Sequence, residues 1–404
     1  MIAWSGRKKA LMILAFIGPT LLGIIVFNIY PITYNSIISL TNRNQFHPNP
    51  DCSLKVINLI EPSCWPMFQE SSGISKPYSW QNPLVKNYST LLGQLLTKVG
   101  SLALIQFVIC FVPLIAAAQV NKYYDRQLTR PISGLVVWLL GLLVTVVAFW
   151  FIGNKAIKTL QENSDFFVVV FRTVLFVILT VPINYIVGLI LALILNTENI
   201  KGRTFFRVAM IIPWAASTMF IIISLIWQFF FRDVGVINQI LSVFGINGPA
   251  WLQQPGLAFG VILLVNLWFS FPFCFTIILG GLQAIPADQY EAAEMDGATY
   301  WQQLMSITLP LLRPTVIPAI VLSAIGAGGF QMFGTVWAIT AGGPSQGAGV
   351  PGSTEMVMIY AYKQVFQYNA YAKAGAFAVI VFIFLFIMTL YSLRITRITK
   401  GAFE

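Results

Sequence analysis

Eight apolar runs punctuate this chain, at 10–30, 99–120, 134–153, 166–195, 208–230, 257–281, 315–334 and 374–393. Each is long enough to cross roughly 30 Å of hydrocarbon as a helix of about 20 residues. A backbone in lipid must satisfy its own polar groups, which leaves helices or a closed barrel. Runs of this length predict helices, so the expected fold is an all-α, polytopic membrane bundle. Composition points the same way. Charged residues make up 9% of the 404, against about 25% in soluble domains. An ordinary cytosolic enzyme, a disordered tail and a disulfide-dense secreted module are thereby excluded. The fourth run contains Pro182 and Asn184, which predict a kink or a partly interfacial stretch.

The formal net charge is +10, and its placement matters more than its size. Arg7, Lys8 and Lys9 precede the first run. That run has no small-residue cleavage site at its end, so it is expected to be a retained helix entered from inside. Eight crossings then place both termini in the cytoplasm. On this reading the inside segments are 1–9, 121–133, 196–207, 282–314 and 394–404. Their Lys and Arg are more than twice as dense as those outside, as the positive-inside rule requires. The basic residues are spread over loop ends and form no single patch, which argues against a nucleic-acid partner. Cys52 and Cys64 fall in the first outside segment, where a disulfide fits an oxidising compartment. Cys110 and Cys274 fall inside spans and read as packing residues.

Several chemistries are missing. The chain has no G-x-x-x-x-G-K-[ST] phosphate loop, so it is not expected to hold ATP itself. A single histidine, His47, offers no metal cluster. The sixth and seventh runs carry no ionisable group of the kind that couples ions to transport. Energy must therefore come from elsewhere, or the molecule is a passive pore. A lone secondary transporter or channel is the main rival reading. A membrane enzyme would need an acidic or histidine cluster at an interface, and the one acidic cluster lies elsewhere.

That cluster is in segment 282–314, which has one basic residue, Arg313, and four acidic ones, Asp288, Glu291, Glu294 and Asp296. Asp288 with Glu291 fits a capping box after Pro286, and Gly297 suits a helix stop. A short helix over 288–296 is predicted. The segment reads either as an amphipathic loop on lipid headgroups or as a docking element for a basic cleft. An acidic surface suits the second better.

Glu291-Ala292-Ala293, three residues, Gly297, nine residues, Ile307-x-Leu309-Pro310 matches the motif E-A-A-x3-G-x9-I-x-L-P in full. By that motif the chain resembles the inner-membrane permeases of binding-protein-dependent ABC importers. Arg207-Val208-Ala209, Gly235-Val236-Ile237-Asn238, Asn266-Leu267-Trp268 and Thr340-Ala341-Gly342-Gly343-Pro344 are similar to the maltose-type sugar branch. The resemblance covers about 166–395 and the first helix. It implies a permease fold of about eight spans. The span map divides the chain into 1–30 as tail and first helix, 31–98 as a periplasmic loop that departs from the family pattern, 99–153 as the second and third helices, and 154–404 as the permease core. The resemblance also implies four partners: a second homologous permease, an ATPase dimer holding ATP and Mg, a periplasmic or lipid-anchored solute-binding protein, and membrane lipid. The ATPase would be met by Glu291, Ala292, Ala293, Asp296 and Gly297.

A sugar site needs hydrogen-bonding groups and aromatic faces in an otherwise apolar cavity. Asn266, Ser270 and Phe273 share one helical face by spacing. Gly328 and Gly329 leave room for a solute or for close helix packing, and Gln331 is a membrane amide that needs a partner. By position, the resemblance implies that Asn266, Phe269, Ser270, Phe273, Gly328, Gly329 and Met332 line the cavity. The aromatics also read as lipid-facing bulk. The seventh span is poorer in amides than the maltose pattern, which favours a small glycoside or compatible solute, such as glucosylglycerol, trehalose or sucrose. Asn184 and Gln228 either line the route or pair between helices.

Overall fold

The computed structural model describes residues 7–65, 77–93, 95–124, 133–197, 200–326, 332–347 and 350–396. Among them the structure is helical, with three isolated β-bridges and no strand. Seven helices are long and apolar enough to cross a membrane: Met12–Ile38, Lys98–Tyr124, Val136–Asn163, Asp165–Asn196, Pro255–Gln283, Tyr300–Ile325 and Tyr371–Leu390. The pair Arg203–Ala215 and Phe220–Phe230 makes an eighth crossing if it is taken as one span, but it is bent by 97°.

Three expected runs are interrupted. The run 208–230 is not one helix: it contains Pro213 and passes into a 3-10 turn at Ala216–Met219. Proline supplies no backbone N–H and crowds the preceding turn. The run 315–334 is also two elements. Leu309–Ile325 stops where Gly326 turns extended, and Phe333–Thr340 starts a new helix. The run 99–120 breaks at Cys110–Phe111, just before Pro113. Apolar composition cannot register such breaks, because both halves stay apolar.

The chain divides into two compact units, Met1–Ala156 with Ala361–Phe384, and Ile157–Tyr360 with Leu385–Glu404. In lipid, burying apolar area is not itself a driving force, so close fit carries helix association. In the first unit, a Cβ on Gly141 would come within 2.5 Å of the Ala117 Cβ. Glycine is what lets the Val112–Tyr124 and Gly134–Ala148 helices approach. Phe107, Phe111 and Phe149 close the same end edge to face.

Outside its spans the first unit builds a small knot from 39–65 and 77–93. Arg43 meets Glu61 at 3.5 Å and also donates to the Tyr34 hydroxyl. The Arg43 guanidinium sits over the rings of Tyr78 and Tyr371 at 5.2 and 5.3 Å. Burial works against its charge, but Tyr34, Glu61 and Tyr78 outweigh it and raise its pKa. Burial, and then the Glu61 carboxylate, pushes the Tyr78 phenol up. Asn87 donates to the carbonyls of Ser39 and Thr41 at 2.7 and 2.9 Å, and a disulfide joins Cys52 to Cys64.

The second unit is organised around Asp165–Asn196 and Pro255–Gln283. A Cβ on Gly188 would fall 2.9 Å from the Cys274 Cβ and the Phe275 nitrogen. One apolar cluster gathers Phe176, Ile262, Val265, Phe269, Met332, Val336 and Ile339. A second gathers Ala192, Cys274, Phe275, Ile278, Leu282, Leu312 and Val316. Arg207 grips the Leu195 carbonyl with two nitrogens at 3.1 and 2.7 Å. A guanidinium there satisfies a helix C-terminus and its partial negative charge. The Arg207 noted in the sequence thus secures the turn between two helices.

Candidate functional site

The acidic segment forms the helix Asp288–Met295. Its expected capping box is not made. Ala287 occupies the cap, and no side chain accepts a hydrogen bond there. Asp288 and Glu291 instead lie in the first helical turn, where a negative charge opposes the positive end of the dipole. The capping box lies one step further on. Thr299 accepts from the Gln302 N–H while the Gln302 side chain accepts from the Thr299 N–H. Gly297 ends the acidic helix at φ +75°, with its own N–H bonded to Glu294 and that of Ala298 bonded to Ala293. This paired closure is a Schellman stop.

Glu291, Ala292, Asp296 and Gly297 are exposed, and Ala293 is half-buried. A Cβ on Gly297 would meet nothing within 4 Å, so crowding is not what calls for a glycine there. Its backbone angle does. A side-chain anchor comes from Tyr290, whose hydroxyl meets that of Thr308 at 3.0 Å. Beside the acidic residues stand exposed apolar ones, with Met295 at 89% and Trp301 at 63% accessible, and Tyr300 similar. Exposed carboxylates beside exposed large apolar side chains make this element a candidate interaction surface.

The expected solute residues separate in the fold. Asn266 and Phe269 are buried on the inner face of Pro255–Gln283. Phe269 and Met332 are members of one apolar cluster, so the structure brings them together as packing neighbours. Ser270 and Phe273 are half-buried, and the Phe273 ring lies 6.3 Å from that of Trp214. Gly328, Gly329 and Gln331 lie outside the described residues. By spacing, Asn266, Ser270 and Phe273 share one face, whereas burial sets Asn266 deeper than the other two.

Two further polar arrangements carry little sequence signal. Gln228 donates to the Ile339 carbonyl at 2.9 Å, so it pairs between helices. Nearby, a Cβ on Gly334 would fall inside contact distance of the Phe220 ring. Arg172 donates to the carbonyls of Pro351 and Gly352. Thr354 bonds the Gly343 carbonyl at 2.6 Å and the Thr340 hydroxyl at 2.7 Å. A Cβ on Gly352 would strike the Gly342 carbonyl, so the loop after Thr340 folds back closely on 351–355. The Gly-Gly-Pro run was the visible signal for that fold. Arg172, as a lone cation in an apolar run, was the other.

A family model described as binding-protein-dependent transport system inner membrane component matches residues 184–400. The chain is 34% identical over 248 residues to the trehalose/maltose transport system permease protein MalF of Thermococcus litoralis, covering 61% of this chain and 80% of the relative. It is 35% identical over 241 residues to the maltose/maltodextrin permease MalF of Salmonella typhimurium, covering 58% of this chain and 46% of that protein. The match thus spans less than half of the longer bacterial relative. Among solved structures, a bacterial ABC transporter involved in the import of alginate matches 65% of this chain and 96% of its own, at 21% identity and a TM-score of 0.49.

Proposed function

The chain belongs to the family of binding-protein-dependent transport system inner membrane components, and from that premise we propose that it is the permease subunit of an ATP-driven importer for a sugar or small glycoside. In this reading it works beside a second permease of the same kind. Both termini face the cytoplasm. A solute-binding protein delivers cargo from outside. ATP and Mg act on partner ATPases, because this chain carries no phosphate loop. Trehalose and maltose are named for the relatives and are the first solutes to test.

One observation carries the reading: the Asp288–Met295 helix, with the full motif spacing and almost every side chain exposed. A short helix closed by Gly297 and anchored through Tyr290 to the next helix is a stiff handle. A push on it reaches Tyr300–Ile325 with little loss. Glu291, Ala292, Ala293, Asp296 and Gly297 form the proposed contact, the carboxylates meeting a basic cleft and the alanines allowing close approach. Ser270 and Phe273, with Asn266 behind them, are the proposed solute wall.

The test is Glu291→Lys in the complete transporter, followed by uptake and ATPase measurements on the same membranes. The variant inserts normally, since the Glu291 side chain is exposed. Uptake is lost while ATP hydrolysis no longer responds to the solute-loaded binding protein. Wild-type uptake by this variant would overturn the assignment.

A further inference from the structure

The Asp165–Asn196 helix carries a second observation, independent of the motif. Asn184 is 0% and Thr180 is 2% exposed. Neither the two amide atoms of Asn184 nor the Thr180 hydroxyl has a hydrogen-bond partner among the described residues. A buried polar group left without a partner loses its hydration with nothing in return, so unpaired groups inside a native core call for a reason. The same helix pairs its other buried polar group fully. The Thr173 hydroxyl donates to the Val169 carbonyl at 2.8 Å and accepts from the Val357 N–H at 3.0 Å. Packing here is able to satisfy a side chain where only structure is at stake.

Thr180 and Asn184 are four residues apart and share one helix face. Contacts on either side fix the level at which they lie. Before them, the Phe176 ring meets Phe259 at 5.9 Å. After them, Gly188 lies against Cys274 and Phe275. The two helices therefore run parallel, and the intervening residues fall level with 263–271, the stretch that holds Asn266 and Ser270. The mid-helix amide and hydroxyl face the helix that carries the proposed solute wall.

We propose that Thr180 and Asn184 form the second polar wall of the solute route, closed against Pro255–Gln283 in this state and opened to a hydroxyl-bearing solute during turnover. Asn184 offers a donor and an acceptor, the pair that a sugar hydroxyl complements. Closed, the groups have no partner among the described residues. Opened, they gain partners, so the cost of the closed state favours opening. This inference rests on the transport reading and adds a helix to the route.

Cysteine accessibility tests it without knowing the cargo. Asn184→Cys, Ser270→Cys and Ile178→Cys are placed singly in the complete transporter in membranes. Each is treated with a membrane-impermeant cationic methanethiosulfonate, with and without ATP and vanadate, and labelling is read peptide by peptide. Ile178 is exposed on the outer face of the same helix and controls for lipid-side access. The expected result is that cysteine at 184 reacts about tenfold faster than cysteine at 178 in at least one nucleotide state, because water access governs thiolate reactivity. No labelling at 184 in any state, with labelling at 270, would overturn this inference and leave the transport route through Ser270 standing. No labelling at either position would overturn both.

Discussion

Two extramembranous segments of this chain handle charge in opposite ways. The knot of 39–65 and 77–93 spends its charge inward: Arg43 and Glu61 are paired under Tyr34, Tyr78 and Tyr371, and a disulfide and two hydrogen bonds donated by the Asn87 amide close the rest. The 288–303 segment spends its charge outward. Its carboxylates are exposed, its large apolar side chains stand in the open, and one tyrosine holds it down. The first segment uses its sequence to hold itself together. The second leaves its side chains in the open, as the proposed docking role requires.

The contrast can be broken at its strongest point first. Arg43→Met removes the cation and leaves Glu61 buried. Breaking a buried pair in this way costs about 3–5 kcal/mol, and the 20% exposure of the Arg43 side chain puts the expected loss near the lower end. Limited proteolysis of membranes should cut 39–65 readily in the variant and hardly at all in the parent. If the knot stays resistant, its charge is not what holds it.

A smaller effect is expected in the second segment. Gly297→Val forces a branched side chain to a positive φ, at about 1–2 kcal/mol. The chain should keep its melting temperature, because the helix contributes little to the core, while uptake falls. Thr299→Ala removes half of the capping box and costs about 1 kcal/mol, enough to fray Tyr300–Gln303 by hydrogen exchange. Met295→Ser should change the stability of the isolated chain least of all. If it lowers stability as much as Arg43→Met, then Met295 packs within this chain and the outward reading of the segment fails.

Local features of both regions were legible, and long-range ones were not. The acidic helix and its stop at Gly297 follow from neighbours within a few residues, so spacing was enough. Its start at Asp288 was legible too, but its cap was not: Asp288 lies in the first turn behind Ala287, and the capping box forms at Thr299 and Gln302 instead. Hydropathy located the crossings, but not the bend at 216–219 or the stop at Gly326. Arg43 and Glu61 lie 18 positions apart, and Tyr371 is far beyond both, so no periodicity connects them. Asn266 and Ser270 share a spacing yet differ in depth, because depth is set by which helix packs opposite. Sequence alone allows Gln228 either role, and only the Ile339 carbonyl, distant in the chain, decides for pairing between helices.

The stop at Gly297 is made from main-chain atoms alone, through the N–H groups of Gly297 and Ala298. Where the helix ends is therefore independent of which side chains it displays. Glu291, Glu294, Met295 and Asp296 can be exchanged without moving the end of the helix, so long as the glycine remains. On the proposed docking role, the surface this helix offers to a partner could be rewritten by substitution alone, with the end of the helix kept where it is.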